Sequence, residues 1–354
     1  MVKAIKIENF KSVQNLEIEL GRVNIFIGEN GCGKTNILEA ITMGSAAAAN
    51  KLDNEFLANR GIRVTEPKYM KSGFEKENEE KDIIIKFFSN HVLETDNETK
   101  YLEELNSVSY SLTNFNSSWL DNTIIDIFAP KIDIKKLRID NFLSFTPENY
   151  ILRKYESDSF TENLGINGEG LLRMLEKLYK ENKLDEIKEN LALIDWFDDF
   201  EIVNDAFRGS YLRIKDRFLN EEMTYSSFKS VNEGFLFLLF YLTLFISDYT
   251  PKFFAIDNID NALNPRLCQK LIEVLVKLAK KHDKQVILTT HSPAILDGLD
   301  LNDPEQKLYA IFRNKSGHTK AKLVEAPKAI NGQVPVRLSE AFLRGYLGGL
   351  PKNI

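Results

Sequence analysis

Gly28-Glu29-Asn30-Gly31-Cys32-Gly33-Lys34-Thr35 decides the reading of this chain. It meets every fixed position of the phosphate-binding loop, G-x-x-x-x-G-K-[ST]. Working outward, Val23-Asn24-Ile25-Phe26-Ile27 has the look of a buried strand, and Thr35-Asn36-Ile37-Leu38-Glu39-Ala40-Ile41 carries apolar residues at helical spacing. Strand, glycine-rich loop and helix, in that order, are the context the motif requires. Its glycines let backbone N–H groups turn inward around phosphate oxygens, beside the positive end of the helix dipole. Asn30, Gly31, Cys32, Gly33 and Asn36 are the expected cradle residues. Lys34 is expected on the β- and γ-phosphates, and Thr35 on Mg²⁺. The alternative is a chance glycine-rich turn, which has no reason to stand between such a strand and helix. The stretch implies a bound nucleoside triphosphate.

Two downstream strands complete the pattern. Lys252-Phe253-Phe254-Ala255-Ile256-Asp257 is an apolar run ending in an acid, and a carboxylate there can hold Mg²⁺ opposite Thr35. After a helix from Pro265 to about Lys281, Gln285-Val286-Ile287-Leu288-Thr289-Thr290 reads as a second buried strand that delivers His291 to the same edge. A lone histidine is more often structural. One strand after Asp257, His291 is placed to sense the γ-phosphate.

Taken with Asn9-Phe10-Lys11-Ser12 and Thr289-Thr290-His291-Ser292-Pro293, these motifs resemble the ABC-type ATPases of the RecF and SMC kind. More closely, the chain resembles compact AAA-family ATPases, ABC-like despite the label, from bacterial anti-phage and overcoming-lysogenisation-type systems. Leu164-Gly165-Ile166-Asn167-Gly168-Glu169-Gly170, Leu338-Ser339-Glu340 and Arg344-Gly345-Tyr346-Leu347-Gly348-Gly349 also match. The resemblance covers roughly residues 1–45 and 225–350. It implies an α/β fold, an ABC-type P-loop NTPase head with a mixed, largely parallel β-sheet core and an inserted, mainly helical lobe. It implies ATP and Mg²⁺ as ligands, with Lys11 among the nucleotide contacts. It also implies two heads that sandwich two ATP molecules, the signature turn of one closing on the γ-phosphate held by the other. The matching turn is Ser230-Val231-Asn232-Glu233-Gly234-Phe235, so Asn232, Glu233 and Gly234 are the expected contacts in trans. Asn232 stands where the family usually has Ser; its amide can still donate to phosphate. An N-capped buried helix is the structural alternative for this segment.

Two departures bear on mechanism. Relatives carry a water-activating Glu directly after the Mg²⁺-binding Asp; here that position is Asn258. An amide accepts no proton, and losing a general base costs about 10²–10⁴ in rate. Relatives also use a lobe glutamine, whereas this chain has no Gln between Gln14 and Gln269. Firm ATP binding with slow turnover is the expectation.

The chain has 354 residues, 43% of them hydrophobic, ample for one large core and an inserted lobe. The two cysteines, Cys32 and Cys268, form no metal motif, and nothing suggests a disulfide framework. Met1-Val2-Lys3-Ala4-Ile5-Lys6 begins a strand and lacks the apolar core of a signal peptide, and the run from Phe235 to Ile246 is too short to span a bilayer. A cytoplasmic protein with no membrane partner is expected. The net charge of −6 argues against tight non-specific DNA binding, although residues 265–354 hold 15 Lys and Arg against 8 Asp and Glu. Lys277, Lys280, Lys281 and Lys284 are either the edge of a nucleic-acid face or the solvated end of a helix.

The expected organisation is an ATPase core from residues 1–45 and 225–354, with residues 46–224 as the lobe. Lys68 to Asp82, dense in Glu and Lys, reads as a mobile loop of that lobe, and Ile83–Phe88 and Val108–Leu112 as two of its strands. Apolar residues recur at helical spacing from Gly170 to about Leu193, with a break at Asn182, and Trp196–Phe200 reads as a core patch. Heptads are not sustained, which excludes a long-armed SMC protein. Two classes remain: a nucleotide-driven sensor or scaffold that oligomerises and works with a separate effector such as a nuclease, and a RecF-like repair ATPase cycling on DNA. A transporter subunit fits less well.

Overall fold

The computed structural model describes residues 1–49, 51–63, 65–88, 107–112, 123–127, 138–154, 163–205, 209–220, 225–227, 230–327 and 336–349. In chain order the first elements are β1 (Ala4–Phe10), β2 (Val13–Glu19), β3 (Val23–Ile27), the helix α1 (Lys34–Ala48), β4 (Ile83–Phe88), β5 (Ser107–Leu112), β6 (Thr123–Ile127) and β7 (Ser144–Phe145). A hairpin β8 (Phe197–Asp205) and β9 (Gly209–Asp216) follows, then β10 (Tyr225–Ser227), β11 (Phe253–Ile256), β12 (Gln285–Thr290), β13 (Gln306–Arg313) and β14 (Thr319–Val324). The chain divides into two compact units: Met1–Ser144 with Pro251–Ile259 and Gln285–Ile354, and Phe145–Thr250 with Asp260–Lys284.

In the first unit a mixed sheet runs in the order β14-β13-β3-β12-β11-β7. Every residue of β3, β11 and β12 is buried, as expected of parallel strands covered on both faces. β3 pairs parallel with β12 (Val23 with Val286, Ile25 with Leu288) and with β13 (Ile25 with Leu308). Those pairings bring the ends of β3, β11 and β12 to one edge. A second, antiparallel sheet runs β2-β1-β4-β5-β6. Its β1 and β4 alternate, with Ile5, Ile7, Ile83, Ile85 and Phe87 turned inward, the mark of a sheet covered on one face. One apolar cluster draws on both sheets and on Ile37, Leu38 and Ile41 of α1.

This division differs from the boundaries at residues 45/46 and 224/225. β4 pairs with β1 (Ile7 opposite Ile85) and β5 with β4, so these strands extend the N-terminal sheet of the first unit. An alternating strand pattern identifies a strand but not its sheet. Lys68–Asp82 is also no mobile loop. It forms a short helix (Pro67–Met70) and a 3-10 turn (Lys76–Glu79), with Asn78 buried. Asn9, at φ 58°, donates its amide to the carbonyls of Asn78 and Lys81, both at 2.9 Å.

The second unit is built around a helix, Glu233–Ile246, whose residues from Gly234 to Ile246 are all buried. Trp196, Phe197 and Phe145 stack on its Phe235 and Phe240 at 5.5–5.9 Å. Helices Leu171–Lys180 and Leu184–Leu191 join it, separated at Asn182, which takes the left-handed conformation at φ 57°. Tyr241 places its hydroxyl in this core with no hydrogen-bond partner among the described residues. That omission costs about 1–3 kcal/mol. Among the described residues, no helix is long and apolar enough to cross a membrane.

Candidate nucleotide site

The phosphate loop lies between β3 and α1, in the first unit. Lys34 is 5% exposed and donates from Nζ to the carbonyls of Gly28 (2.8 Å) and Glu29 (3.1 Å). Arg313 Nε donates to Gly31 O at 2.9 Å, and Thr319 Oγ1 to Cys32 O at 2.9 Å. The loop carbonyls are thus held by donors from the same unit. At the adjoining helix end, α1 has no side-chain cap: Gly33 occupies the cap position at φ 109°. A helix N-terminus with uncapped N–H donors and its loop carbonyls already bonded suits an anion.

A hydrogen-bond chain fixes the loop from behind. Asn36 Nδ2 donates to Ser12 Oγ (2.7 Å), Ser12 pairs with Thr319 Oγ1 (2.7 Å), and Thr319 Oγ1 donates to Cys32 O. A Cβ at residue 33 would stand 2.1 Å from Thr319 Oγ1, so both φ and space require glycine there. Burial pushes the Cys32 thiol above its ordinary value, against the nearby Lys34 charge.

Asp257, at the end of β11, accepts from Thr35 Oγ1 through Oδ2 at 2.9 Å. Its Oδ1 accepts a short hydrogen bond from the hydroxyl of Thr289. Thr35 and Asp257 supply the hard oxygen donors that Mg²⁺ prefers, at the mouth of an anion cradle. The residues present fit both ATP and Mg²⁺. His291 Nδ1 lies 3.4 Å from Lys34 Nζ; a charged Lys34 can only donate, so the ring proton then belongs on Nε2. Asn258 stands beside Asp257 in the left-handed conformation at φ 56°, and its backbone N–H donates to Thr289 Oγ1 at 2.9 Å. Asn30 and Gly31 are exposed at the loop tip.

Lys11 stands with α1 rather than with the loop carbonyls. Its ammonium pairs with Glu39 at 2.6 Å, and Arg63 reaches the other oxygen of that buried carboxylate at 2.7 Å. Arg63 also lies 3.4 Å from Asn36 Oδ1. Its guanidinium is held above its ordinary value by the Glu39 hydrogen bond first and by the Glu39 and Asp257 charges. Arg63, Glu39, Thr289, Thr319 and Arg313 received no role from the sequence. Thr289 and Glu39 stood in stretches read for their strand and helix patterns; Arg63, Thr319 and Arg313 come from segments without a motif.

Asn232, Glu233 and Gly234 fold in the second unit, at the N-terminus of its central helix. Asn232 is exposed and does not cap that helix; Glu233 is half-buried in the first turn. Gly234 packs closely on the segment after Asp260: a Cβ there would meet Ala262 O at 3.0 Å.

Comparisons with known proteins bear on the family and the fold. Residues 23–297 match the family described as "AAA domain, putative AbiEii toxin, Type IV TA system". The DNA replication and repair protein RecF of Listeria welshimeri is 42% identical over 55 residues, 15% of this chain and 15% of that protein. RecF of Phocaeicola vulgatus is 38% identical over 64 residues, 17% of each. The matched stretches therefore span less than a fifth of those relatives. Among solved structures, the SMC head domain from Thermotoga maritima superposes with a TM-score of 0.51 at 15% identity, covering 92% of this chain and 99% of that one. An Smc head bound to the C-terminal winged-helix domain of ScpA gives 0.59 at 14% identity, covering 92% and 97%. These likenesses show the fold. With the family profile matching more than half of its length, the chain belongs to that AAA-domain family.

Proposed function

We propose that this protein binds ATP firmly, hydrolyses it slowly, and acts as a nucleotide-gated sensor or scaffold in bacterial anti-phage defence, working with a separately encoded effector such as a nuclease. The observation that carries the reading is a complete phosphate cradle beside Asn258, a side chain that accepts no proton. Lys34 exchanges its loop carbonyls for phosphate oxygens, and His291 meets the terminal phosphate. Mg²⁺, when bound, neutralises phosphate charge, and Thr35 and Asp257 would hold it. The exposed Asn232 and the helix end behind it supply the complementary half of a second copy's site, so ATP drives assembly. The AbiEii toxin named in the family description supports a role in bacterial conflict. A cytoplasmic location goes with this reading.

A second reading, a repair ATPase that cycles on DNA, draws on the RecF identity over 55 residues and requires brisk turnover. Steady-state phosphate release from the wild type and Asn258→Glu separates the two. Replacing the amide by a carboxylate is expected to raise turnover about 10- to 100-fold. The lower figure applies because a glutamate at φ 56° pays about 1–2 kcal/mol of left-handed strain. Fast wild-type turnover that is lost on changing Asp260, or that DNA stimulates, would transfer support to the repair reading.

A further inference from the structure

We propose that the segment Leu338–Gly349 is a strap that positions the phosphate loop and ties it to the turn behind His291. The proposal rests on the ATP-binding reading and adds a positioning element that lies outside the nucleotide motifs.

At one end of the strap, Glu29 donates its backbone N–H to Gly349 O at 3.1 Å. The same peptide unit presents Gly28 C=O to Lys34 Nζ at 2.8 Å. One peptide plane of the loop is therefore held from both sides, by its own lysine and by the strap. Gly349 is buried, and a Cβ there would come within 3.5 Å of Gly28 Cα and 3.6 Å of Ile27 O.

The other end is anchored on the 3-10 turn Pro293–Gly298, which begins two residues after His291. Asp297 accepts from Ser339 twice, from the backbone N–H at 3.0 Å and from the hydroxyl at 2.7 Å. Leu338, Ala341 and Phe342 are buried beneath the strap helix Leu338–Leu343. Between the ends, the chain turns back through Gly345–Ala341 geometry: Gly345 N–H donates to Phe342 O and Tyr346 N–H to Ala341 O. Gly345, Gly348 and Gly349 all have φ between 77° and 83°. Such a turn belongs to glycine, and it delivers the Gly349 carbonyl to Glu29.

The physical role follows from pre-organisation. A loop whose peptide planes are already oriented pays less ordering entropy when phosphate arrives. Lys34 leaves the Gly28 carbonyl when it moves onto phosphate, and the strap then remains as the hold on that peptide. Because the strap's far end sits behind His291, loop order and the histidine turn are linked through it.

The test is equilibrium binding of a fluorescent ATP analogue to the full chain, with Lys34→Ala as the loss-of-site control. Gly349→Pro cannot adopt φ 83°, and Asp297→Asn keeps shape while weakening the Ser339 anchor. Each is expected to weaken affinity about 3- to 10-fold, the scale of one hydrogen bond. Leu343→Ala, on the exposed face of the strap, is expected to leave affinity unchanged. Hydrogen exchange supplies the readout that a purely structural role would not move. ATP should slow exchange across residues 338–349 in the wild type, and less so in Asp297→Asn, since coupling between two sites is reciprocal. If Gly349→Pro unfolds the chain, the isosteric Asp297→Asn decides alone. Unchanged or tighter binding in Asp297→Asn, with no ATP effect on strap exchange, overturns the strap while leaving ATP binding intact. A wild type that binds no analogue, like Lys34→Ala, overturns both.

Discussion

Two helix N-termini in this molecule are built to opposite plans. That of α1 is held from every side by its own unit: Lys34, Arg313 and Thr319 occupy the loop carbonyls, and Gly349 holds the Glu29 N–H. In that of the helix Glu233–Ile246, Gly234 of the first turn packs on Ala262 and Leu263, and Asn232 is exposed and non-capping. Both helices are almost entirely buried, so neither end owes its character to solvent. The difference lies in what completes them. The first is held by its own unit in the arrangement a phosphate would need, whereas the second offers a helix dipole and an exposed amide.

That contrast can be broken most decisively at Lys34. Lys34→Ala removes the charged donor to the Gly28 and Glu29 carbonyls and to phosphate, and ATP affinity is expected to fall at least about 100-fold. Binding of a fluorescent analogue measures it, and retained affinity would place the nucleotide elsewhere. Thr289→Val is the next in size. It removes the hydroxyl that serves Asp257 Oδ1 and the Asn258 N–H together, while conserving shape. Affinity in the presence of Mg²⁺ should drop about tenfold, with little change when Mg²⁺ is chelated. Equal losses in both conditions would mean that Thr289 acts on the fold instead of the metal side of the site.

The smallest effect sharpens the other helix end. Gly234→Ala sets a methyl 3.0 Å from Ala262 O, a few tenths of an ångström tighter than the packing allows. It should shift the Asn232 turn and weaken ATP-dependent association several-fold, about 1 kcal/mol, without altering the affinity of a single head for ATP. Light scattering with and without nucleotide reads the first quantity and analogue binding the second. A loss of ATP affinity in the monomer would join the two helix ends into one site and erase the contrast.

The motifs at strand ends were legible because each is contiguous. The loop from Gly28 to Thr35, Asp257 and His291 each sit where a buried strand stops, and the sheet brings the three stops together. Asn182 was legible as a break, since few residues accept φ 57° as readily as asparagine. What supports the site was not. Thr319 and Arg313 reach the loop from 287 and 282 residues away and Gly349 from further still, and no local pattern marks a serine such as Ser12 as the bridge between Asn36 and Thr319. The stretch 68–82 reads as a loop by composition, yet its backbone carbonyls accept from the Asn9 amide, a tertiary contact that charge density does not report. Sheet membership of β4 was equally hidden, because alternation is the same in any half-covered sheet.

The position of β3 has a consequence for how the protein is made. Both of its neighbours, β12 and β13, lie beyond residue 284, so the strand that carries the phosphate loop has no sheet to join until most of the chain exists. At ordinary ribosome speeds that wait is roughly 260 residues, or about 13–50 s. Over that time five residues destined for complete burial stay exposed on the nascent chain. Chain order therefore makes the nucleotide half of the molecule a late product of biosynthesis, most vulnerable to aggregation or proteolysis just before it can first meet ATP.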